Sequence, residues 1–287
     1  MAWDNEHLES LMPHYSLPRD TETPRHPGRI GLSRCLSASV VSCLLGLFAV
    51  ACGGGSQESA APPPAAPIEN PVDPATAGSV TGRVTFAGTP PKPAPPRMDS
   101  DPNCVKEGVA PVDETMVVGE GGALQHVFVY VKDGLGTLRF PIPTAPVLLD
   151  QKGCHYVPHV FGAQVGQAVE ILNSDPTLHN IHAVPQSNQE FNTGQPIPGL
   201  KHTHRFSVRE VMVPFKCDVH PWMRAYAGVL DHPFFAVTAP DGSFTISGLP
   251  PGTYTIEAWH ETLGTQTQSV TVAPKGTADA AFSFKAS

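Results

Sequence analysis

The sequence has few basic residues and almost no stretch with the apolar periodicity of a helix. Lysine and arginine together number 18 against 26 acidic residues, which gives a formal net charge of −8. Because there is no basic patch that could neutralise phosphates, we expect no nucleic-acid partner. Outside the N-terminal region, apolar residues do not recur with the 3.6-residue period of a helix. The pattern therefore argues against a helical fold.

Turn-forming residues and short β-prone runs are abundant instead. The 287 residues include 32 Pro and 26 Gly. They separate short runs rich in Val, Thr, Phe and Tyr, such as residues 80–86, 126–132, 147–149 and 168–172. Several short strands at this spacing predict an all-β protein built from β-sandwiches.

Residues 1–52 have the organisation of a leader with an export signal. Arg29 and Arg34 precede an apolar run of about fifteen residues, which suits a signal-peptide core and is shorter than the roughly twenty that a spanning helix needs. The run ends at Cys52 and resembles the lipobox of bacterial lipoproteins, although Ala49 stands where Leu is usual. We expect a lipid anchor at Cys52 and export to the periplasm or the cell surface, with a plain secretory signal or an uncleaved anchor as the alternative. The long polar leader indicates that translation starts downstream of Met1.

Residues 53–78 are rich in Ala, Pro, Ser and Gly and contain almost no aromatic side chains. Such a composition cannot bury enough apolar surface to fold, so this segment is predicted to be a disordered linker. It would hold the folded part of the chain away from a membrane. Order is expected to begin with the alternating strand near residue 80, which a Pro-rich segment follows.

The most informative stretch is residues 215–223, with the sequence FKCDVHPWM. It places a thiolate, an imidazole and a thioether at Cys-x-x-His-x-x-Met spacing, in Cys217, His220 and Met223. Thiolate and thioether are soft ligands and imidazole suits copper, so a second His would complete the set of a blue-copper site with a weak axial Met. A closed zinc site usually takes four strong ligands, and the thioether therefore favours copper.

The second imidazole is expected from an upstream strand near residues 176–182. His179 is the preferred candidate and His182 is the alternative. Residues three apart on a regular strand face opposite sides, so both imidazoles cannot easily reach one ion.

Residues 216–224 resemble the copper loop of the cupredoxins, in particular the amicyanin type, in which the Cys-to-His and His-to-Met intervals are both two residues. Residues 176–181 resemble the strand that carries the upstream His of plastocyanin-like proteins, and the match of Pro176 and Asn180 to that pattern favours His179 over His182. The resemblance covers about residues 124 to 230. It implies a cupredoxin Greek-key β-sandwich over residues 124–232 that holds one type 1 copper ion.

The resemblance also implies roles for residues around the ligands. Asn180 would hydrogen-bond to Asp218, the residue after the cysteine, and so support the loop. His220 would be a partly exposed ligand where the electron leaves. Pro221 and Trp222 beside it would form an apolar surface for a small, transient contact with a partner.

The cysteine count suggests one disulfide. Cys35 and Cys43 lie in the signal, while Cys52 takes the lipid and Cys217 the metal, so that Cys104 and Cys154 remain. An oxidising compartment would let these two form a disulfide. A second metal site that uses His155 or His159 near Cys154 is the alternative.

Residues 233–287 carry a different pattern. The hairpin at residues 241–244 and the turn at residues 249–254 resemble the carboxypeptidase-regulatory-like or prealbumin-like β-sandwich. Such domains usually begin with a Gly-x-Val strand, which residues 82–84 supply. Residues 79–123, a leading strand and a Pro-rich segment, are therefore predicted to belong to this accessory sandwich, which the copper domain interrupts.

Two further sets of polar side chains are weaker candidates for sites. Residues 259–261, Trp-His-Glu, could form a metal site or a sugar-binding surface, although packing is the simpler interpretation. His202 and His204 share one face of a strand and could bind an adventitious metal, although solvent exposure explains them as well.

The sequence predicts an exported blue-copper monomer that carries single electrons between redox partners, such as a cytochrome or a dehydrogenase. We do not expect an enzyme, because the ligand set leaves no open coordination position and no further His-rich cluster of the oxidase or reductase kind is present. The alternatives are a copper storage or delivery protein and a surface carbohydrate or adhesion module whose copper loop is vestigial.

Overall fold

A computed structural model describes residues 70–106 and 113–286. The predicted leader, the lipid site at Cys52 and most of the predicted linker lie outside these residues. The described part contains sixteen strands and a single 3₁₀ turn at Glu120–Gly122, which confirms the all-β prediction. Nowhere in this part is a helix long and apolar enough to cross a membrane.

The strands are short and follow one another closely along the chain. In order they are β1 (Gly78–Ala87), β2 (Phe128–Asp133), β3 (Val147–Gln151), β4 (Tyr156–Val157), β5 (Val160–Gln164), β6 (Val169–Asn173), β7 (His179–Ala183), β8 (Phe191–Gln195), β9 (Lys201–His204), β10 (Glu210–Lys216), β11 (Arg224–Leu230), β12 (Phe235–Val237), β13 (Ser243–Leu249), β14 (Gly252–His260), β15 (Gly264–Val272) and β16 (Thr277–Lys285).

Two sheets, with strand orders β13-β1-β16 and β12-β2-β14-β15, form what we call the terminal sandwich. Strand β1 pairs antiparallel with β13 and parallel with β16, so a strand near residue 80 completes a sheet made from the end of the chain. Alternate residues of a strand face the same side, and Val80, Val84 and Phe86 of β1 point into the shared core together with Ile256 of β14.

The other two sheets, with orders β5-β11-β10-β7-β8 and β4-β3-β6-β9, form the central sandwich. Its strands, β3 to β11, lie in the sequence between β2 and β12. The core is built from inward-facing side chains of both sheets, among them Leu149, Ile171, Ile181 and Phe215. The central sandwich is therefore inserted into the terminal one.

The predicted copper domain began at residue 124 and therefore included strand β2. This boundary is wrong. The structure pairs β2 with β12 and β14 of the terminal sandwich. Val129 and Val131 face the core of that sandwich, whereas Phe128 and Tyr130 face the central one. Because both faces are buried, the strand is a continuous apolar run without alternation, and its pattern does not reveal its sheet.

The two sandwiches meet through aromatic rings that pack on glycines. Gly162 of β5 lies opposite Gly228 of β11 in the parallel ladder. The ring of Phe235 covers Gly162 and the ring of Phe128 covers Gly228. These two rings stack at a centroid distance of 5.4 Å. The missing Cβ atoms leave the space that the rings fill, so the contact is close and apolar.

Candidate metal centre

The loop between β10 and β11 carries three of the four predicted ligands, and strand pairing brings the fourth to it. Strands β10 and β7 are antiparallel with Phe215 opposite Ala183 and Lys216 opposite His182. If this antiparallel register is continued, the residues after Lys216 run alongside the first residues of β7, which begins at His179. The ligands therefore meet at one end of the five-stranded sheet of the central sandwich.

Three donor side chains converge there, from His179, Cys217 and His220. Their ligand atoms all lie within 4.8 Å of one another. The two Nδ1 atoms of the imidazoles are 2.9 Å apart, and Cys217 Sγ lies 3.9 Å from Nδ1 of His220. His179 is 0% exposed, His220 1% and Cys217 2%. Two ring nitrogens and a sulfur thus lie close together in the buried interior.

Met223 is held in the same loop by backbone hydrogen bonds. Its N–H donates to the carbonyl of His220 at 2.9 Å, and its own carbonyl accepts from the N–H of Cys217 at 3.2 Å. The side chain is fully buried in the core cluster that contains Cys217. These bonds close the seven-residue loop over the end of the sheet.

Asn180 ties the upstream strand to the cysteine loop. Its Oδ1 accepts from the N–H of Asp218 at 2.7 Å, and its Nδ2 donates to Asp218 Oδ2 at 3.0 Å. The Cys217 thiol lies 3.3 Å from Asn180 Oδ1. His182 lies on the other face of β7, where its nitrogens are 2.8 Å from Asp218 and from Glu190. It does not join the ligand group.

A carboxylate lies behind each imidazole of the candidate site, and neither carboxylate was predicted from the sequence. His179 Nε2 lies 2.9 Å from Asp175 Oδ2, and His220 Nε2 lies 3.1 Å from Asp101 Oδ2. Asp175 also accepts from the N–H groups of Gly153 and Cys154 at 2.8 Å each. A carboxylate on the outer nitrogen fixes the orientation of an imidazole so that the inner nitrogen can bind metal. The only local hint in the sequence was Asp175, which lies four residues before His179 and so could have been expected near its imidazole.

A disulfide joins Cys104 to Cys154, with their Cα atoms 5.5 Å apart. Cys104 Sγ lies 3.8 Å from Nε2 of His220, and Met98 and Cys104 pack in the core of the central sandwich. Residues 98–104 therefore belong with the central sandwich and its candidate site, and their predicted place in the accessory sandwich is wrong.

His220 was expected to be partly exposed, and that expectation is wrong. Only 1% of its surface is accessible, because Asp101 and the disulfide cover the outer nitrogen. The neighbouring apolar surface is formed instead by Val219, which is 45% exposed, and by the exposed Pro221. Trp222 is half-buried beside the His220 ring, and its Nε1 donates to the carbonyl of Cys154 at 3.0 Å.

Hydrogen bonding favours the ionised form of Cys217. Burial opposes ionisation of this thiol, but bonds from His179 and from the N–H groups of the loop outweigh it, and the pKa of Cys217 is lowered. Burial also opposes the charged form of His179, but Asp175 and Cys217 raise its pKa. Burial, and then the charge of His179, lower the pKa of His220.

The donor set fits a copper ion. A thiolate and two imidazoles are the strong ligands of a blue-copper site, and the thioether of Met223 is available in the same loop. All four side chains are buried, and the imidazoles are already oriented by carboxylates. The pair His202 and His204 is different, because both rings stack on Phe191, at 5.3 and 4.1 Å, as packing residues do.

One family model matches the C-terminal part of the chain. Residues 230–285 match the family model of the carboxypeptidase regulatory-like domain, which confirms the resemblance seen in the sequence. A search of curated proteins found no match.

Solved structures similar to this chain include several copper proteins, all at low TM-scores. A methionine-to-alanine mutant of amicyanin with Cu(I) is 20% identical and matches over 31% of this chain and 85% of its own, with a TM-score of 0.27. A purple cupredoxin from Nitrosopumilus maritimus is 22% identical over 30% of this chain and 98% of its own, with a TM-score of 0.26. A copper-containing nitrite reductase from Thermus scotoductus is 20% identical over 43% of this chain and 28% of its own, with a TM-score of 0.29.

Proposed function

We propose that this protein holds one type 1 copper ion and, as a monomer without enzymatic activity, carries single electrons between redox partners. His179, Cys217 and His220 would be the strong ligands and Met223 the weak axial one. The observation that carries the proposal is the convergence of two Nδ1 atoms and one Sγ atom within 4.8 Å in a buried site. A bound copper ion would supply one-electron oxidation and reduction.

The protein's part is to keep the ligands in place. The carboxylates of Asp101 and Asp175 hold both imidazoles from behind, and Asn180 fixes the residue after the cysteine. The loop is closed by backbone bonds between Cys217 and Met223. Because the ligands are held by the fold in one arrangement, little movement would accompany a change of charge at the site, and burial keeps water away.

A redox protein would dock at the apolar edge of the loop. Val219 and Pro221 are exposed there, and the ring of the half-buried Trp222 lies 5.0 Å from that of His220 between centroids. Since His220 itself is covered, we propose that partner contact is made by these neighbours. A surface of this kind suits a small, short-lived complex.

The proposal includes the location of the protein. The residues before Cys52 carry the pattern of an export signal, and we propose that the mature chain is anchored at Cys52 in the periplasm or on the cell surface. The linker that follows would then give the folded part room to reach a partner.

The visible and EPR spectra of the protein with added Cu(II) test the copper centre. We expect an intense thiolate-to-copper band that is lost in Cys217→Ala and strongly altered in His179→Gln. His182→Gln is the matched control and should keep the band, because His182 lies outside the ligand group. A colourless protein, or a band that survives Cys217→Ala, would reject the proposal. In the coloured protein, Val219→Lys should slow electron exchange with a partner and leave the band unchanged.

A further inference from the structure

A second group of donor side chains, which we call the seam cluster, shares no residue with the copper ligands. It consists of Glu114, His126, His159 and Glu261. One ligand atom from each of Glu114, His126 and His159 lies within 4.8 Å of the others. The rings of His126 and His159 are 4.9 Å apart between centroids. Nδ1 of His159 lies 3.7 Å from Glu114 Oε2, and its Nε2 lies 2.6 Å from Glu261 Oε1.

These residues come from distant parts of the chain and meet where the sandwiches join. His126 precedes β2 and Glu261 follows β14, both in the terminal sandwich, whereas His159 precedes β5 in the central one. The side chains of His159 and Glu261 are only 4% and 7% exposed, and that of Glu114 is 23% exposed. Burying two carboxylates beside two imidazoles is costly unless protons or a cation compensate the charge.

One contact of His159 is shared with metal-ligating imidazoles. Such a ligand usually donates its outer N–H to a carboxylate, which fixes the ring while the other nitrogen binds the ion. Glu261 takes the place of that carboxylate at Nε2. Nδ1 donates to the carbonyl of Arg224 at 3.0 Å and lies 3.7 Å from Glu114 Oε2, so a metal ion at this position must replace the Nδ1 proton.

Two other imidazole nitrogens beside the cluster have no hydrogen-bond partner among the described residues. They are Nε2 of His155, whose Nδ1 lies 3.1 Å from Glu114, and Nε2 of His260, which precedes Glu261. His260 is 1% exposed. Orphaned nitrogens of this kind are rare in native interiors. The seam cluster has two further imidazoles beside it.

An open cleft gives access to the cluster. Its volume is about 460 Å³, and Glu114, His159 and Glu261 line it together with Trp222 and Tyr226. The cleft would let an ion enter and would leave room for water as a fourth ligand, an arrangement in which three protein ligands hold the metal and one position stays open.

We propose that Glu114, His126 and His159 bind a divalent transition-metal ion of the zinc or copper(II) type, with Glu261 as the positioning residue for His159. Imidazole and carboxylate ligands without thiolate suit these ions. Binding displaces the proton from Nδ1 of His159, which is released to solvent. This site is independent of the copper centre at Cys217.

Zinc titration by calorimetry, with metal content measured after desalting, tests the site in the full chain. In the wild type and in Cys217→Ala alike, Glu114→Gln and His126→Asn should each remove one equivalent of bound Zn²⁺. Asparagine is chosen because His126 has a φ of +60°, a conformation that Asn tolerates. Glu261→Gln should keep the equivalent and bind it about 10–100-fold more weakly.

The matched control is Glu190→Gln, which removes the carboxylate from the His182–Glu190 contact of 2.8 Å on the surface of the central sandwich. It should leave zinc binding unchanged. An unchanged stoichiometry and affinity in both Glu114→Gln and His126→Asn, with thermal unfolding like that of the wild type, would overturn the proposal. An equal loss in Glu190→Gln would show adventitious binding and overturn it as well. A colourless protein that still loses one zinc in the seam variants would reject the copper function alone.

Discussion

Replacing Gly228 with alanine is expected to lower the free energy of unfolding by about 2–3 kcal/mol, because the site has no room for a methyl group. Gly228 in β11 lies under the ring of Phe128 from β2. A Cβ atom at this position would be 2.8 Å from Cε2 of that ring and nearer still to Cε1 and Cζ. Carbon atoms pack at about 3.5–4.0 Å, so the ring or the strand must move by about 1 Å.

The surrounding contacts make that movement difficult. Phe128 is 0% exposed and stacks on Phe235, whose ring in turn covers Gly162, where a Cβ would lie 2.6 Å from Cζ. Displacing one ring therefore displaces the other. Inserting a methyl group into a well-packed core costs roughly 1–3 kcal/mol, and the linked rings place Gly228 in the upper part of that range. In a folded unit of this size, the unfolding midpoint should fall by roughly 4–12 °C.

Scanning calorimetry and chemical unfolding measure the loss, with Gly194→Ala as the matched control. Gly194 lies in strand β8 of the same sandwich and has nothing within 4 Å of a Cβ. Its replacement should be neutral or stabilising by about 0.4–1 kcal/mol. In a Phe128→Ala background, Gly228→Ala should cost much less, because the ring that it meets is gone. Equal losses at Gly194 and Gly228, or the same loss with and without the Phe128 ring, would refute the reasoning.

Two further predictions concern pH and anchoring. Burial is the main cause that lowers the pKa of His232 to about 4, with Asp231 opposing and Arg209 adding to the shift. The stability from neutral His232, whose Nε2 donates to the carbonyl of Val131 at 3.0 Å, is present above pH 6.5 and is lost as the pH falls towards 4. Between pH 7 and pH 5 His232 contributes a loss of about 2 kcal/mol, so the change in the free energy of unfolding between the two pH values, measured with urea, should differ by about that amount between His232→Gln and the wild type. Labelled palmitate should enter the protein in a bacterial host and be lost in Cys52→Ser; equal labelling of the two chains would contradict the lipid anchor.

The sequence revealed the features whose signals are local. Period-two alternation and turn residues predicted strands near residues 80 and 170, and the spacing Cys-x-x-His-x-x-Met singled out one loop. Cys217, His220 and Met223 lie within seven residues, so a single loop was bound to bring them close. Strand alternation indicated that His179 and His182 do not both reach one ion, and the resemblance of residues 176–181 to the plastocyanin-like strand favoured His179.

The features that could not be predicted from the sequence depend on contacts between distant segments. Asp101 reaches His220 across 119 residues and Asp175 reaches His179 only through the bend before β7. Nothing local distinguishes these carboxylates from surface residues. Strand β2 was misplaced because a strand buried on both faces has no alternation to read. The covering of His220 could not be foreseen either, since it requires knowing where the segment around Cys104 crosses the loop.

The terminal sandwich has a physical role beyond that of an attached domain. It supplies the rings that close the glycine faces of β5 and β11, as well as His126 and Glu261 of the seam cluster. Because β1 completes its sheet from the other end of the sequence, the sandwich can form fully only when residues on both sides of the central one come together. The seam cluster then exists only in the fully assembled chain. A fragment containing β3 to β11 alone would keep the four proposed copper ligands and lose the carboxylate that orients His159.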